Sequence, residues 1–230
     1  MNKQLNLGPP IDELLDRLYA QHASQSEAME SYYTTRAKES SLDWNTMDAR
    51  MNEFLSDKLV ALDRNKAEFC YQVCRSLRAR RIVEAGTSFG VSTLFLAAAV
   101  RDNVGAAGGK GIVVATEHEP NKVKAARANF AEAGLVQFIE LREGDLRQTL
   151  ADVGGPVDFM LVDIWTPMAR PALELVAHRL REGAVVICDN TEQFRYAYND
   201  YFAFVNDPAN KLRTMTLPFE GGLEFTVRCG

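Results

Sequence analysis

The chain has 230 residues and a formal net charge of −5 at pH 7, with 47% hydrophobic and 25% charged residues. That length can bury a full core, and those proportions are globular, which excludes disorder along the whole chain. The negative balance argues against a broad attraction to nucleic acid or an anionic membrane, and no apolar run reaches the ~18 residues of a spanning helix.

In chain order, residues 11 to about 80 read as helical. IDELLDRLYAQHA and MNEFLSDKLVALDRNKAEFCYQVCRSL carry apolar residues at helical spacing, and SLDWNTM between them reads as a break or a capped start. At Arg81 the pattern changes. RRIVEAG predicts a first strand, SFGVSTLFLAAAVRDN a helix, and RDNVGAAGGKG a loop. IVVATE predicts a second strand, followed by a helix with Pro120 near its first turn and Gly134 as its stop. VQFIELREG predicts a third strand, DLRQTLADVG a short helix, and PVDFMLVDI a fourth strand. ARPALELVAHRLREG predicts a helix closed by Gly183, and AVVICDN a fifth strand. The aromatics of YAYNDYFAFV recur at helical spacing and read as core or dimer contacts. Finally, LRTMTLPF and LEFTVRC flank Glu220-Gly221-Gly222, a hairpin signal that makes the last two strands antiparallel to each other.

Strands alternating with helices imply right-handed parallel βαβ units, and continuous apolar strands imply a sheet covered on both faces. The expected architecture is α/β, a Rossmann-like three-layer sandwich. Its sheet is mostly parallel with a C-terminal antiparallel hairpin, and N-terminal helices are attached to it. The whole chain, 1–230, reads as a single domain: 1–80 a helical lid or dimer segment, 81–230 the ligand-binding core.

The N-terminus MNKQLNLGPPIDELLDRLY lacks the layout of a signal peptide, so a cytoplasmic protein is expected. Cys70, Cys74, Cys188 and Cys229 form no CxxC pair, and His22, His118 and His178 are scattered. Free thiols and no zinc site follow. Ser92, Asp163 and His178 lack the GxSxG elbow of a hydrolase.

In an open α/β sheet, ligands sit at the carboxyl ends of the strands, so those ends carry the chemistry. The first ends in Glu84-Ala85-Gly86-Thr87-Ser88-Phe89-Gly90-Val91-Ser92. Gly86 and Gly90 permit a tight turn, but their spacing is not GxGxxG, which argues against a nicotinamide dinucleotide site. Glu84 beside the turn suits a cationic group better than a phosphate. Glu117, ending the second strand, can accept from both hydroxyls of a ribose, and Asp145 after the third can accept from an adenine amine while capping the next helix. Together these suit adenosine joined to an amino acid. The fourth and fifth strands, expected to be neighbours, end in Asp163 and in Asp189-Asn190. Their hard oxygens suit Mg²⁺, or less selectively Mn²⁺ or Ca²⁺; the alternative is three strand-end helix caps.

VEAGTSFGVS, ATEHEP, REGDL, MLVDIW, VVICDN and LPFEGGLEFTVR, in this order and spacing over about residues 55 to 228, resemble the cation-dependent O-methyltransferases, the family of catechol and caffeoyl-CoA O-methyltransferases and their small bacterial relatives. The resemblance implies a class I S-adenosylmethionine (SAM) methyltransferase on a seven-stranded sheet. In it Glu84, Gly86, Ser88, Gly90 and Ser92 surround the methionine part of SAM, Glu117 holds the ribose, and His118 and Asp145 lie by the adenine. It implies a metal at Asp163, Asp189 and Asn190, with Asp163 also touching the cofactor, and Trp165 and Asn190 facing a small catechol-like or vicinal-diol acceptor. It also implies a homodimer whose N-terminal helices cover the active site; Trp44 and Tyr32-Tyr33 are candidates for such a lid. One departure stands out. The family's lysine base, three residues after the first metal-binding aspartate, is replaced by Thr166, which cannot act as a base near neutral pH. Asp163 is then itself a candidate catalytic proton acceptor. The carboxylate that meets the second catechol oxygen has no clear match, with Thr214 and Met215 near its place. Two rival readings are methylation of a modified tRNA base, for which the ARR at 79–81 is a thin basic patch, and a non-catalytic SAM-binding protein.

Overall fold

The computed structural model describes residues 5–39, 43–46 and 48–230. Of the predicted break SLDWNTM, residues 41, 42 and 47 lie outside this set. Within the described residues the N-terminal region forms four helices, α1 (Pro9–Ser24), α2 (Ser26–Lys38), α3 (Ala49–Leu55) and α4 (Arg64–Ser76). Helix α1 buries Ile11, Leu14, Leu15 and Leu18, one stripe at i, i+3, i+4 and i+7. Helix α3 is capped by Asp48, whose side chain accepts from the Met51 N–H.

The helix expected across 51–77 is interrupted between α3 and α4. There Leu59 and Leu62 are buried in irregular chain, and partners on α1 and on Gln25, which follows it, satisfy its backbone. Gln25 accepts from the Leu59 N–H at 2.9 Å, His22 Nδ1 lies 2.9 Å from the Leu59 carbonyl, and the Tyr19 hydroxyl donates to the Leu62 carbonyl at 2.9 Å.

The sheet has seven strands: β1 (Arg81–Ala85), β2 (Ile112–Glu117), β3 (Ile139–Glu143), β4 (Val157–Val162), β5 (Leu180–Asp189), β6 (Leu212–Leu217) and β7 (Leu223–Arg228). Their spatial order is β3-β2-β1-β4-β5-β7-β6. The first five are parallel, while β7 runs antiparallel to both β5 and β6. This is the sandwich expected from the sequence. One core joins the sheet to α1, α4 and α5 (Val91–Ala107), with α6 (Pro120–Glu132) at its margin. The opposite core holds α7 (Leu146–Thr149), α8 (Thr166–Ala177) and α9 (Asn199–Asn206). The strand order reverses between β1 and β4, which opens a crevice at their carboxyl ends.

Two boundaries differ from expectation. Helix α5 runs on to Ala107, through residues expected to be a loop, and stops at Gly108 with φ 68°. It is held there by Asn103, whose amide donates to the Cys74 and Ala79 carbonyls at 3.0 and 2.8 Å. Gly183 does not close α8. It sits inside β5 at φ 73°, close to where the β4–β5 register shifts, the role of a bulge glycine.

Candidate active site

The loop after β1 is built around contacts that admit only glycine. At Gly86 φ is +97°, and a Cβ there would lie 2.0 Å from the Asp163 carbonyl oxygen. A Cβ at Gly90, at φ +88°, would lie 2.4 Å from the Phe130 ring. Between them Ser88 takes φ 50°, and its N–H donates to Glu117 Oε2 at 2.7 Å. The other Glu117 oxygen accepts from the His118 and Glu119 N–H groups at 2.8 and 3.0 Å. Burial opposes charge on Glu117, but the hydrogen bonds from His118, Glu119 and Ser88 prevail and hold it below the usual carboxylate range. The Ser88 hydroxyl is buried and has no partner among the described residues.

Glu84 is fully buried beneath this loop. It accepts from the hydroxyls of Ser92 at 2.7 Å, Thr87 at 3.1 Å, and Thr93. Burial pushes its pKa up to about 7 against the pull of these three hydroxyls. Asp145 caps α7 by accepting from the Arg147 N–H at 2.9 Å, and the Arg147 guanidinium beside it lowers its pKa to about 2.

The acidic end is arranged differently. Asp163 follows β4 and Asp189 ends β5, as expected, but Asp189 is already engaged. Lys66 of α4 places its Nζ 2.7 Å from Asp189 Oδ1 and 3.1 Å from Asp63 Oδ2. The Lys66 and Asp189 side chains are only 2% and 6% exposed, so water does not screen the pair. Burial alone would lower the lysine's pKa, yet Asp189 and Asp63 hold it above its ordinary value, so the ammonium is kept. Burial, with the charges of Asp189 and Glu84 nearby, pushes Asp163 well above the carboxylate range. Asn190 stands at φ 57°, with its Oδ1 2.6 Å from where a Cβ on Gly221 would be. Its side chain therefore packs on the hairpin turn. The Thr166 hydroxyl donates to the backbone carbonyl of Trp44. Thr214 donates to the buried Glu224, Met215 is exposed, and neither lines the site.

One cavity of about 940 Å³ runs across these strand ends. Its walls include Gly86, Ser88, Ser92, Glu117, His118 and Asp145 on one side, and Asp163, Trp165 and Asn190 on the other. Of the expected site residues, Glu84 and Gly90 support the loop without lining the cavity, and Asp189 lies behind it. Helix α2 and the turn before α3 close the far side, where Tyr33 and Trp44 join an aromatic cluster. Trp44 packs on Phe194, Tyr33 and Trp165 at centroid distances of 4.1, 5.5 and 5.9 Å. Tyr32 instead stacks on Phe54 at 3.8 Å, outside the cavity lining.

The residue that sequence reasoning missed is Lys66. Its signal was a lysine in one helical row with Cys70 and Cys74, two buried positions four and eight residues on. The metal expected at Asp163, Asp189 and Asn190 does not fit what is there: a lysine occupies Asp189, and Asn190 is turned onto the hairpin. Among the described residues no group of three or more His, Cys, Asp or Glu is placed to hold a metal ion. Two unit charges ~4 Å apart near a protein surface interact by about 4 kcal/mol, so this ammonium offsets much of the field that would draw a divalent ion.

Residues 83–191 match the family described as "Methyltransferase domain". The chain is 30% identical over 132 residues to a catechol O-methyltransferase of Mycobacterium tuberculosis, a match covering 57% of each protein. The chain thus spans little more than half the length of that relative. Among solved structures, the chain superposes with a TM-score of 0.70 on a provisionally assigned O-methyltransferase of Klebsiella pneumoniae, at 20% identity, covering 97% of this chain and 91% of that one. It superposes with a TM-score of 0.63 on an O-methyltransferase of Bacillus cereus in complex with SAH, at 23% identity, covering 78% and 87%. At these identities the structural likeness is one of fold. Residues 83–191 thus resemble the methyltransferase-domain family, and the chain has the Rossmann-like fold of these solved structures.

Proposed function

We propose that the chain transfers the methyl group of SAM to an oxygen of a small, flat, hydroxylated acceptor such as a vicinal diol on an aromatic ring. One observation carries this reading: a single cavity joins the glycine loop to an aromatic wall, with Asp163 where they meet. SAM, when bound, supplies an electrophilic methyl group on a sulfonium. The orphaned Ser88 hydroxyl and the Glu117 carboxylate are the polar groups that would hold its amino-acid and ribose parts, with His118 and Asp145 toward the adenine. Trp44, Trp165 and Phe194 would clasp a planar acceptor and exclude water, and aligning two reactants in this way is worth ~7–11 kcal/mol of barrier. Asp163 is the carboxylate at the junction. Burial pushes its pKa well above the carboxylate range, and it would receive the acceptor's proton. No step here runs through a divalent ion, since Lys66 and Asn190 leave the expected ligand set unfit for one. On the resemblance alone we also propose a homodimer, which light scattering on the pure protein tests.

Calorimetry with SAH on the folded protein is the first test, and micromolar uptake is expected. Methyl transfer from labelled SAM to a panel of catechols, monophenols and tRNA follows. The reading fails if SAH does not bind, and its acceptor class fails if tRNA alone is labelled.

A further inference from the structure

We infer that Lys66 is the resident cation of the acidic end, standing where the resembled family keeps a divalent metal, so that this chain works without one. The inference rests on the methyltransferase reading above and concerns a residue outside every motif that carries the resemblance.

Three observations carry it. The first is the pair itself: Nζ sits 2.7 Å from Asp189 and 3.1 Å from Asp63, with the lysine and Asp189 both buried. The second is the rigidity of the lysine's anchor. Lys66 begins the buried row that continues through Cys70 and Cys74, on a helix packed against α5. The third is that the position of the family's lysine is committed elsewhere. The hydroxyl of Thr166, which stands there, is bound to the Trp44 carbonyl, while the Asn190 Oδ1 lies close against Gly221. A site that has gained a cation at Asp189 and lost the lysine after Asp163 is organised around Lys66. Lys66 does not line the cavity. It is a positioning residue, acting through Asp189 and through Asn190, the next residue, on the acceptor wall.

The test is a Mn²⁺ titration followed by electron paramagnetic resonance, on the full-length protein with and without SAH. The wild-type chain is expected to show no saturable binding below millimolar Mn²⁺. In Lys66→Ala, checked as folded by circular dichroism, removing the ammonium is expected to tighten Mn²⁺ binding by on the order of a hundredfold. A merely structural lysine would give no such gain. Saturable sub-millimolar binding by the wild type, lost in Asp189→Asn, would overturn the inference, and so would a folded Lys66→Ala with no gain. If Lys66→Ala does not fold, Lys66→Gln takes its place, and if neither folds the wild-type titration decides. SAH calorimetry on the same sample keeps the two claims apart: absent SAH binding sinks the methyltransferase reading and leaves the lysine result standing.

Discussion

The two halves of the cavity are built by opposite means. On the β1–β2–β3 side the polar groups find their partners in their own loop or at the adjacent strand end, the Ser88 hydroxyl excepted. Ser88 donates to Glu117, Glu117 accepts from its own next two residues, and Glu84 is capped by hydroxyls three to nine positions away. On the β4–β5 side the partners come from the N-terminal segment. Lys66 and Asp189 are 123 residues apart, and Thr166 and Trp44 are 122 apart. The glycine-loop half is therefore assembled as the sheet forms, whereas the aromatic half, where we propose the acceptor binds, is complete only when the N-terminal segment docks. A single scaffold can keep one ligand and change the other by altering that segment.

The largest effect should come from breaking the local half. In Gly86→Val the side chain meets the Asp163 backbone at a positive φ, and the loss should exceed about 4 kcal/mol, with SAH binding abolished. Gly105→Ala is the control. It lies in α5 with nothing within 4 Å of its Cβ, and should gain up to ~1 kcal/mol. Urea unfolding of both measures the contrast, and equal losses would contradict the account of the loop. Next comes the distant half. Lys66→Met leaves Asp189 buried and unpaired, and should cost about 3–5 kcal/mol in the same assay.

The halves also differed in how far they could be read from sequence. Gly86, Glu117 and Asp145 were legible because strand ends in an α/β sheet converge by topology, and each of these residues follows its own strand. Glu84 was legible as a position but not as a state. It looked like a carboxylate facing a ligand, and it is sealed under Thr87, Ser92 and Thr93, hydroxyls that TSFGVST displayed openly. Lys66 and the Trp44–Thr166 contact were not legible, because no local pattern couples residues more than a hundred positions apart. The lysine in line with two buried cysteines was the one hint. The overlong loop before β2 and the early start of β5 were missed for a smaller reason. Glycine reads as a breaker, but Gly105 is tolerated inside α5 and Gly183 serves as a bulge.

Glu84 sharpens the local half through pH. Its folded pKa of about 7 lies above the ordinary 4.5, so the folded state holds a proton that the unfolded chain releases. Its contribution is fully present below pH 4.5 and is lost as pH rises to about 7, a loss of about 3 kcal/mol. Glu84→Gln removes this dependence. Its stability relative to wild type should climb over that window and stay level above it. A difference constant with pH would show that the three hydroxyls keep the carboxylate ionised in the folded protein as in the unfolded one. On the acceptor side, Trp44→Ala should raise KM for a catechol about tenfold, ~1.4 kcal/mol, with SAH affinity unchanged. A parallel loss of SAH affinity would mean that the aromatic wall serves the cofactor as well.

The smallest change isolates the docking of the N-terminal segment. Thr166→Val keeps the shape of the side chain and removes the hydroxyl that ties the Trp44 carbonyl to the start of α8. Because that carbonyl belongs to a partly exposed residue, water can replace the lost donor, and the cost should be about 1 kcal/mol. Global unfolding would barely register it. Local opening would: amide exchange around residues 44–46 should quicken by roughly fivefold while β1 and β2 stay protected, since local opening and global unfolding are separate events. Equal quickening in both regions would mean that the N-terminal segment is not a separate piece docked on a finished sheet, and the contrast between the two halves would fail with it.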